Sequence, residues 1–170
     1  IARHLDDFVA TARELERRRP GLRVLVSAAP TVQIDAARCP YPIVPNASFD
    51  VLRAADVALC KSGTTTLEAA IAECPMAIGY RTGTVSYLIA KQVVKIPYIG
   101  LVNVVAGREV AREFIQGALQ PAPVAETLER LLTDISYRTS LIAGLHEVRD
   151  KLGTPGAAAR TAAMIAGVVP

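Results

Sequence analysis

Apolar runs of strand length alternate with helical segments along the first two thirds of the chain, and this alternation restricts the fold more than any other feature. Residues 22–28, 41–44, 57–60, 76–80 and 98–102 read as short buried strands rich in Val, Leu and Ile. Helical patterns lie between them, at 1–18, 48–54, 64–73, 84–95 and 108–119. Strands separated by helices need crossover connections, so the reading is α/β: a three-layer parallel sheet with helices on both faces. The last third is helical throughout, over 122–133, 137–152 and 155–168, with a break at Pro121 and Pro123. Residues 1–170 then form one domain, with the terminal helices 122–168 packed on the same sheet.

A chain of 170 residues with 51% hydrophobic content can bury a substantial core. Nineteen basic and sixteen acidic residues give a net charge of +3, and the basic residues are dispersed apart from Arg17, Arg18 and Arg19. That distribution does not favour a nucleic-acid partner. Cys39, Cys60 and Cys74 have no metal-ligand spacing, and each adjoins an apolar segment, so they read as reduced, buried thiols of a cytoplasmic protein. No apolar run approaches the roughly 20 residues of a membrane span. The chain opens at Ile1 inside a helical pattern, as a piece of a longer protein would.

Two polar clusters stand out. Ser62-Gly63-Thr64-Thr65-Thr66 falls between a strand that stops at Cys60 and a helix that starts near Leu67. In an open parallel sheet, ligands bind beyond the carboxyl ends of the strands. A glycine there lets main chain approach a ligand, while free N–H groups at the helix start and neighbouring hydroxyls suit a phosphate or diphosphate. The same residues fit a capping box, in which Thr65 and Glu68 satisfy each other's main-chain donors. Spacing leaves both readings open. In the second cluster, Glu109, Glu113 and Gln116 recur at i, i+4 and i+7, sharing one face of the expected 108–119 helix, with Asn103, Gly107 and Arg108 before it. Alone, that pattern reads as a solvated helix face. No Ser-His-Asp set is present, and His4 and His146 read as packing or surface residues.

The stretches SGTTTLEAAIAECPMAIGYR and PYIGLVNVVAGREVAREFIQ, in that order and some 15 residues apart, resemble the carboxy-terminal half of the lipid-A-disaccharide synthase family. These are glycosyltransferases with the GT-B arrangement of two Rossmann-like domains. Thr65 stands where the family usually has Ala. The resemblance is strongest from about Ala55 to Gln116; before Asp50 it follows the order of elements.

The resemblance implies the donor-binding half of a hexosyltransferase, which moves 2,3-diacylglucosamine from its UDP donor onto 2,3-diacylglucosamine 1-phosphate, giving lipid A disaccharide and UDP. It implies diphosphate contacts at Ser62, Gly63 and Thr64, with Thr65 beside them in the nucleotide-sugar site, and a ribose acceptor at Glu68. Asn103, Gly107, Glu109, Glu113 and Gln116 would face the donor sugar and diphosphate, and Arg108 would offset charge on the leaving UDP. No cofactor and no metal ion is expected. The acceptor site and general base would belong to a missing amino-terminal GT-B domain, and the first strand and a Gly-Ser-Arg loop of this domain would precede Ile1, leaving its sheet with an open edge or gap.

Residues 84–95, with Lys91 and Lys95 beside Val85, Tyr87, Leu88, Ile89, Val93 and Val94, would suit peripheral contact with the inner face of the inner membrane. Burial of one helix face against the sheet explains them more simply. Two alternatives to the main reading are another UDP-sugar GT-B enzyme, of the peptidoglycan-precursor glycosyltransferase or UDP-N-acetylglucosamine epimerase type, and a non-catalytic nucleotide-sugar-binding subunit.

Overall fold

The structure, a computed structural model, describes residues 2–29, 31–83, 97–154 and 156–168. Its elements in chain order are α1 (Ala2–Arg18), β1 (Val26–Ala28), β2 (Ile43–Pro45), α2 (Ser48–Ala54), β3 (Ala58–Lys61), α3 (Thr65–Ile71), β4 (Met76–Tyr80), α4 (Leu101–Ala106), β5 (Glu113–Ile115), α5 (Pro121–Thr133), α6 (Ile135–Leu152) and α7 (Ala157–Val168). All strand pairs are parallel. β1 pairs with β2, Val26 opposite Ile43, and β3–β4–β5 form a second sheet with Ala58 opposite Met76 and Ile78 opposite Glu113. Among the described residues the two sheets share no ladder, and β3 pairs only with β4.

β4 is central in its sheet and buried from Met76 to Gly79, which is why its sequence is apolar without alternation. Its side chains nevertheless divide by face. Met76 and Ile78 point into a cluster with Ala69 and Ala70 of α3, Val102 of α4 and Leu141, Leu145 and Val148 of α6. Ala77 points the other way, into Leu15 of α1 and Val124, Ala125 and Leu128 of α5. The result is three layers, Rossmann-like, around β3–β4–β5. The other turns of α1 reach the smaller sheet, since Leu5 and Val9 pack with Val26 and Ile43. One amphipathic helix therefore covers both sheets. Its approach to β4 is close: a Cβ at Gly79 would lie 2.7 Å from the Phe8 ring.

Two expected elements change identity. Residues 98–102 do not form a strand; the chain enters α4 at Leu101 instead. Residues 108–119 do not form a helix; the fifth strand, Glu113–Ile115, lies there, followed by a 3-10 turn over Gln116–Ala118. The apolar run Leu101-Val102-Asn103-Val104-Val105 is short enough to serve either structure. Glu113 resolves the ambiguity by accepting the N–H groups of Ile99 and Gly100 at the start of α4 (3.0 and 2.9 Å), and Gly107, at φ +77, ends that helix. β1 is also shorter than expected, because Leu22 leaves the strand to pack with Leu15.

α5 and α6 pack against α1, α3 and α4. α7 does not: its residues from Ala157 to Gly167 are all exposed, Met164 and Ile165 included. The expectation that 122–168 packs on the sheet is thus corrected for its last helix. The segment 84–95 lies outside the described residues.

Candidate functional site

β3 ends at Lys61, and the chain turns into α3 through Ser62, Gly63 and Thr64. Gly63 has φ +147, a conformation that side-chain-bearing residues avoid, and open space stands where a Cβ would be. Two hydroxyls of the run hold the turn. Thr66, fully buried, donates its hydroxyl to the Gly63 carbonyl (2.8 Å) and accepts the Val102 N–H (3.3 Å). Ser62 Oγ donates to the Ile99 carbonyl at 2.7 Å. A serine has one hydroxyl proton, so in this arrangement Ser62 has none left to offer a phosphate oxygen.

Thr64 and Thr65 are different. Their hydroxyls, and the N–H groups of Gly63, Thr64 and Thr65, have no partner among the described residues. The capping box is not formed, because the N-cap is Thr64, in αR geometry and without a side-chain bond. Glu68, half-buried one turn into α3, accepts no hydrogen bond on its carboxylate from any of the described residues. The loop and the first turn of α3 therefore hold three N–H groups, two hydroxyls and a carboxylate that no described residue engages.

Cations that sequence reading did not single out stand at the same edge of the sheet. Lys61 is exposed at the tip of β3. Arg81, just past β4, pairs with Asp7 at 3.2 Å and donates to the carbonyls of Gln116 and Leu119. His4 Nε2 accepts the Arg81 N–H at 2.9 Å, and burial, followed by the charge of Lys61, holds its pKa below the ordinary value of 6.5. The only sequence signal for Arg81 and Lys61 was their position one residue from a strand end.

The second motif is not gathered at this loop. Asn103 is fully buried, and its amide is spent internally: Nδ2 donates to the Ala111 carbonyl and Glu113, and Oδ1 accepts from Val110 and Ala111. Glu113 is turned onto Ile99, Gly100 and Asn103. Gln116 is turned onto Thr82. α4 starts beside Ser62 and runs away from it for six residues, about 9 Å. Gly107, Arg108 and Glu109 stand past its far end, where Arg108 pairs with Glu147 of α6 (2.7 Å) and Glu109 accepts the Glu113 N–H. Arg108 is thus held away from Ser62–Thr65, contrary to its expected place by the diphosphate.

Cys39, Cys60 and Cys74 are free and buried, and burial pushes the thiols of Cys60 and Cys74 up, the latter to about 11. Among the described residues no group of His, Cys, Asp and Glu is arranged to hold a metal ion, and no helix is long and apolar enough to cross a membrane.

Parallel β/α units joined by a glycine-containing turn at the carboxyl end of β3 define a Rossmann-like α/β protein. The family model described as lipid-A-disaccharide synthetase matches residues 1–162, and the chain belongs to that family. The lipid-A-disaccharide synthase of Syntrophotalea carbinolica is 35% identical over 167 residues, covering 94% of this chain and 43% of that protein. Those of Anaeromyxobacter dehalogenans strain 2CP-1 and Myxococcus xanthus are 38% and 33% identical, over 99% and 100% of this chain, and each is matched over 46% of its own length. The chain spans less than half the length of these relatives.

Proposed function

We propose that this chain is the UDP-sugar-binding half of a lipid-A-disaccharide synthase, a hexosyltransferase that moves 2,3-diacylglucosamine from its UDP donor to 2,3-diacylglucosamine 1-phosphate and releases UDP. The observation that carries the reading is the Gly63–Thr65 turn with its three unpaired N–H groups, in a chain of this family. Those groups and the Thr64 and Thr65 hydroxyls receive the diphosphate, with Lys61 nearby to balance its charge. Glu68, whose carboxylate accepts no hydrogen bond from the described residues, accepts the ribose hydroxyls. Ser62 keeps the turn in shape. The acceptor and the general base belong to the other half of the enzyme, which works on the cytoplasmic face of the inner membrane, where its acylated substrates lie.

The test is a titration with UDP followed by amide shifts, using GDP as the control nucleotide. Saturable shifts at Gly63, Thr64 and Thr65 are expected with UDP and not with GDP. Glu68→Ala is expected to weaken UDP binding about ten-fold, the value of one or two hydrogen bonds to a charged group. UDP shifts that avoid this turn, or an unchanged affinity in the variant, would overturn the assignment.

A further inference from the structure

Glu113 opens the three-residue strand β5 and Gln116 follows it, and both polar heads are engaged by main chain. Arg81 and Thr82 follow β4, and Ile99 and Gly100 precede α4. Gln116 meets the main chain just past β4: its Oε1 accepts the Thr82 N–H (2.9 Å) and its Nε2 donates to the Thr82 carbonyl (3.2 Å), as one more rung of a ladder would. Glu113 meets the main chain just before α4: Oε2 accepts the Ile99 N–H, and Oε1 accepts both the Gly100 N–H and a hydrogen bond from Asn103 Nδ2. Between these two peptides stands the Ile99 carbonyl, which receives the Ser62 hydroxyl at 2.7 Å.

Two further observations show that this arrangement is held under load. Gln116 sits at φ +53, which costs energy for any residue with a Cβ and persists where surrounding bonds enforce it. Gly100 is buried against the carboxylate so closely that a Cβ there would lie 2.5 Å from Ile78 Cδ1 and 3.0 Å from Glu113 Oε1. The carboxylate and the main chain are therefore fitted to each other, with no space for a ligand atom between them.

We propose that Glu113 and Gln116 are positioning residues, a two-point clamp that fixes the main chain just past β4 and just before α4 and, through the Ile99–Ser62 bond, holds the Gly63–Thr65 turn in its anion-receiving shape. The proposal rests on the reading of that turn as the UDP site. It makes Glu113 act on the nucleotide through Ser62 and not by touching it.

The experiment uses the protein with whatever precedes this chain in its reading frame, in four forms: Glu113→Gln, Ser62→Ala, the double variant, and Gln116→Ala, each checked for an intact cooperative unfolding transition. Glu113→Gln places an amide NH2 against main-chain donors. It is expected to speed hydrogen exchange at Ile99 and Gly100 and to raise the Kd for UDP about ten-fold, with Ser62→Ala alone giving a similar loss. Because both act through one bond, the double variant is expected to fall within about two-fold of either single one. Gln116→Ala should speed exchange at Thr82 and weaken UDP binding to a lesser degree. Multiplying losses in the double variant would make Glu113 an independent ligand contact and overturn the proposal. So would unchanged UDP affinity in Glu113→Gln despite faster exchange. If the unsubstituted protein binds no UDP, the reading of the turn fails and the clamp loses its proposed effect on nucleotide binding, while the exchange data, which need no ligand, still decide whether the clamp exists.

Discussion

A buried imidazole that accepts a main-chain N–H has to stay neutral in the folded protein, and His4 is in that position against Arg81. Burial first, then Lys61 and, more weakly, Arg81, disfavour the charged ring, while Asp7 pulls the other way without prevailing. Its folded-state pKa is therefore below 6.5, its ordinary value, which the unfolded chain regains. Above that pH neither state carries the proton and stability is constant. As the pH falls below it, the unfolded state takes up a proton that the folded state refuses, so stability drops until the folded-state pKa is reached. Urea midpoints measured from about pH 8 to about pH 5 should show a plateau and then this decline. His4→Gln should reduce the slope; a slope that survives the change assigns the decline to other groups. The same scale explains the hydroxyl run. The sequence showed a run of hydroxyls from Ser62 to Thr66, but which of them were already engaged depends in part on main-chain partners 37 residues away at Ile99, which accepts the Ser62 proton, and 36 away at Val102, which donates to Thr66 Oγ1.

At the scale of elements, the join of α4 to β5 is where sequence and structure part. Glu109, Glu113 and Gln116 have helical spacing, yet Glu113–Ile115 is a strand and the spacing is coincidental. Three residues of alternation, with Phe114 buried between half-buried Glu113 and Ile115, are too few to outweigh an i, i+4, i+7 pattern when only the sequence is read. Asn103 is the residue on which this join depends. Replacing it with Ala removes both partners from Ala111, whose N–H and carbonyl have no water in reach, together with one donor from Glu113. Asn103→Ala is expected to cost about 3 kcal/mol in a urea unfolding curve, as loss of a buried, fully satisfied amide does. A cost under about 1 kcal/mol would mean that water enters the site and replaces the amide.

For the whole molecule, the three layers around β3–β4–β5 hold the core, and α7 contributes nothing to it. Residues Ala157 to Gly167 are exposed on every side, and Met164 and Ile165 are bare to solvent. Removing 157–168 should leave the unfolding free energy from urea curves within about 0.5 kcal/mol of the parent, the usual range for changes away from packed features. A larger loss would show that α7 is covered in solution. The class of fold, the alternation of β and α units, the turn at Ser62–Thr65 and membership of the family were all legible in the sequence, because each rests on local pattern: apolar period, glycine placement, contiguous motif. What the tertiary structure alone decided is which polar groups remain free. Asn103, Glu113, Gln116 and Arg108 are as polar as Thr64, Thr65 and Glu68, but the first four are turned onto main chain or an opposite charge, and the side chains of the last three have no hydrogen-bond partner among the described residues. A hydrogen-bonding group binds a ligand only with capacity its own fold has left unused, and that capacity is set by long-range contacts that no local pattern records.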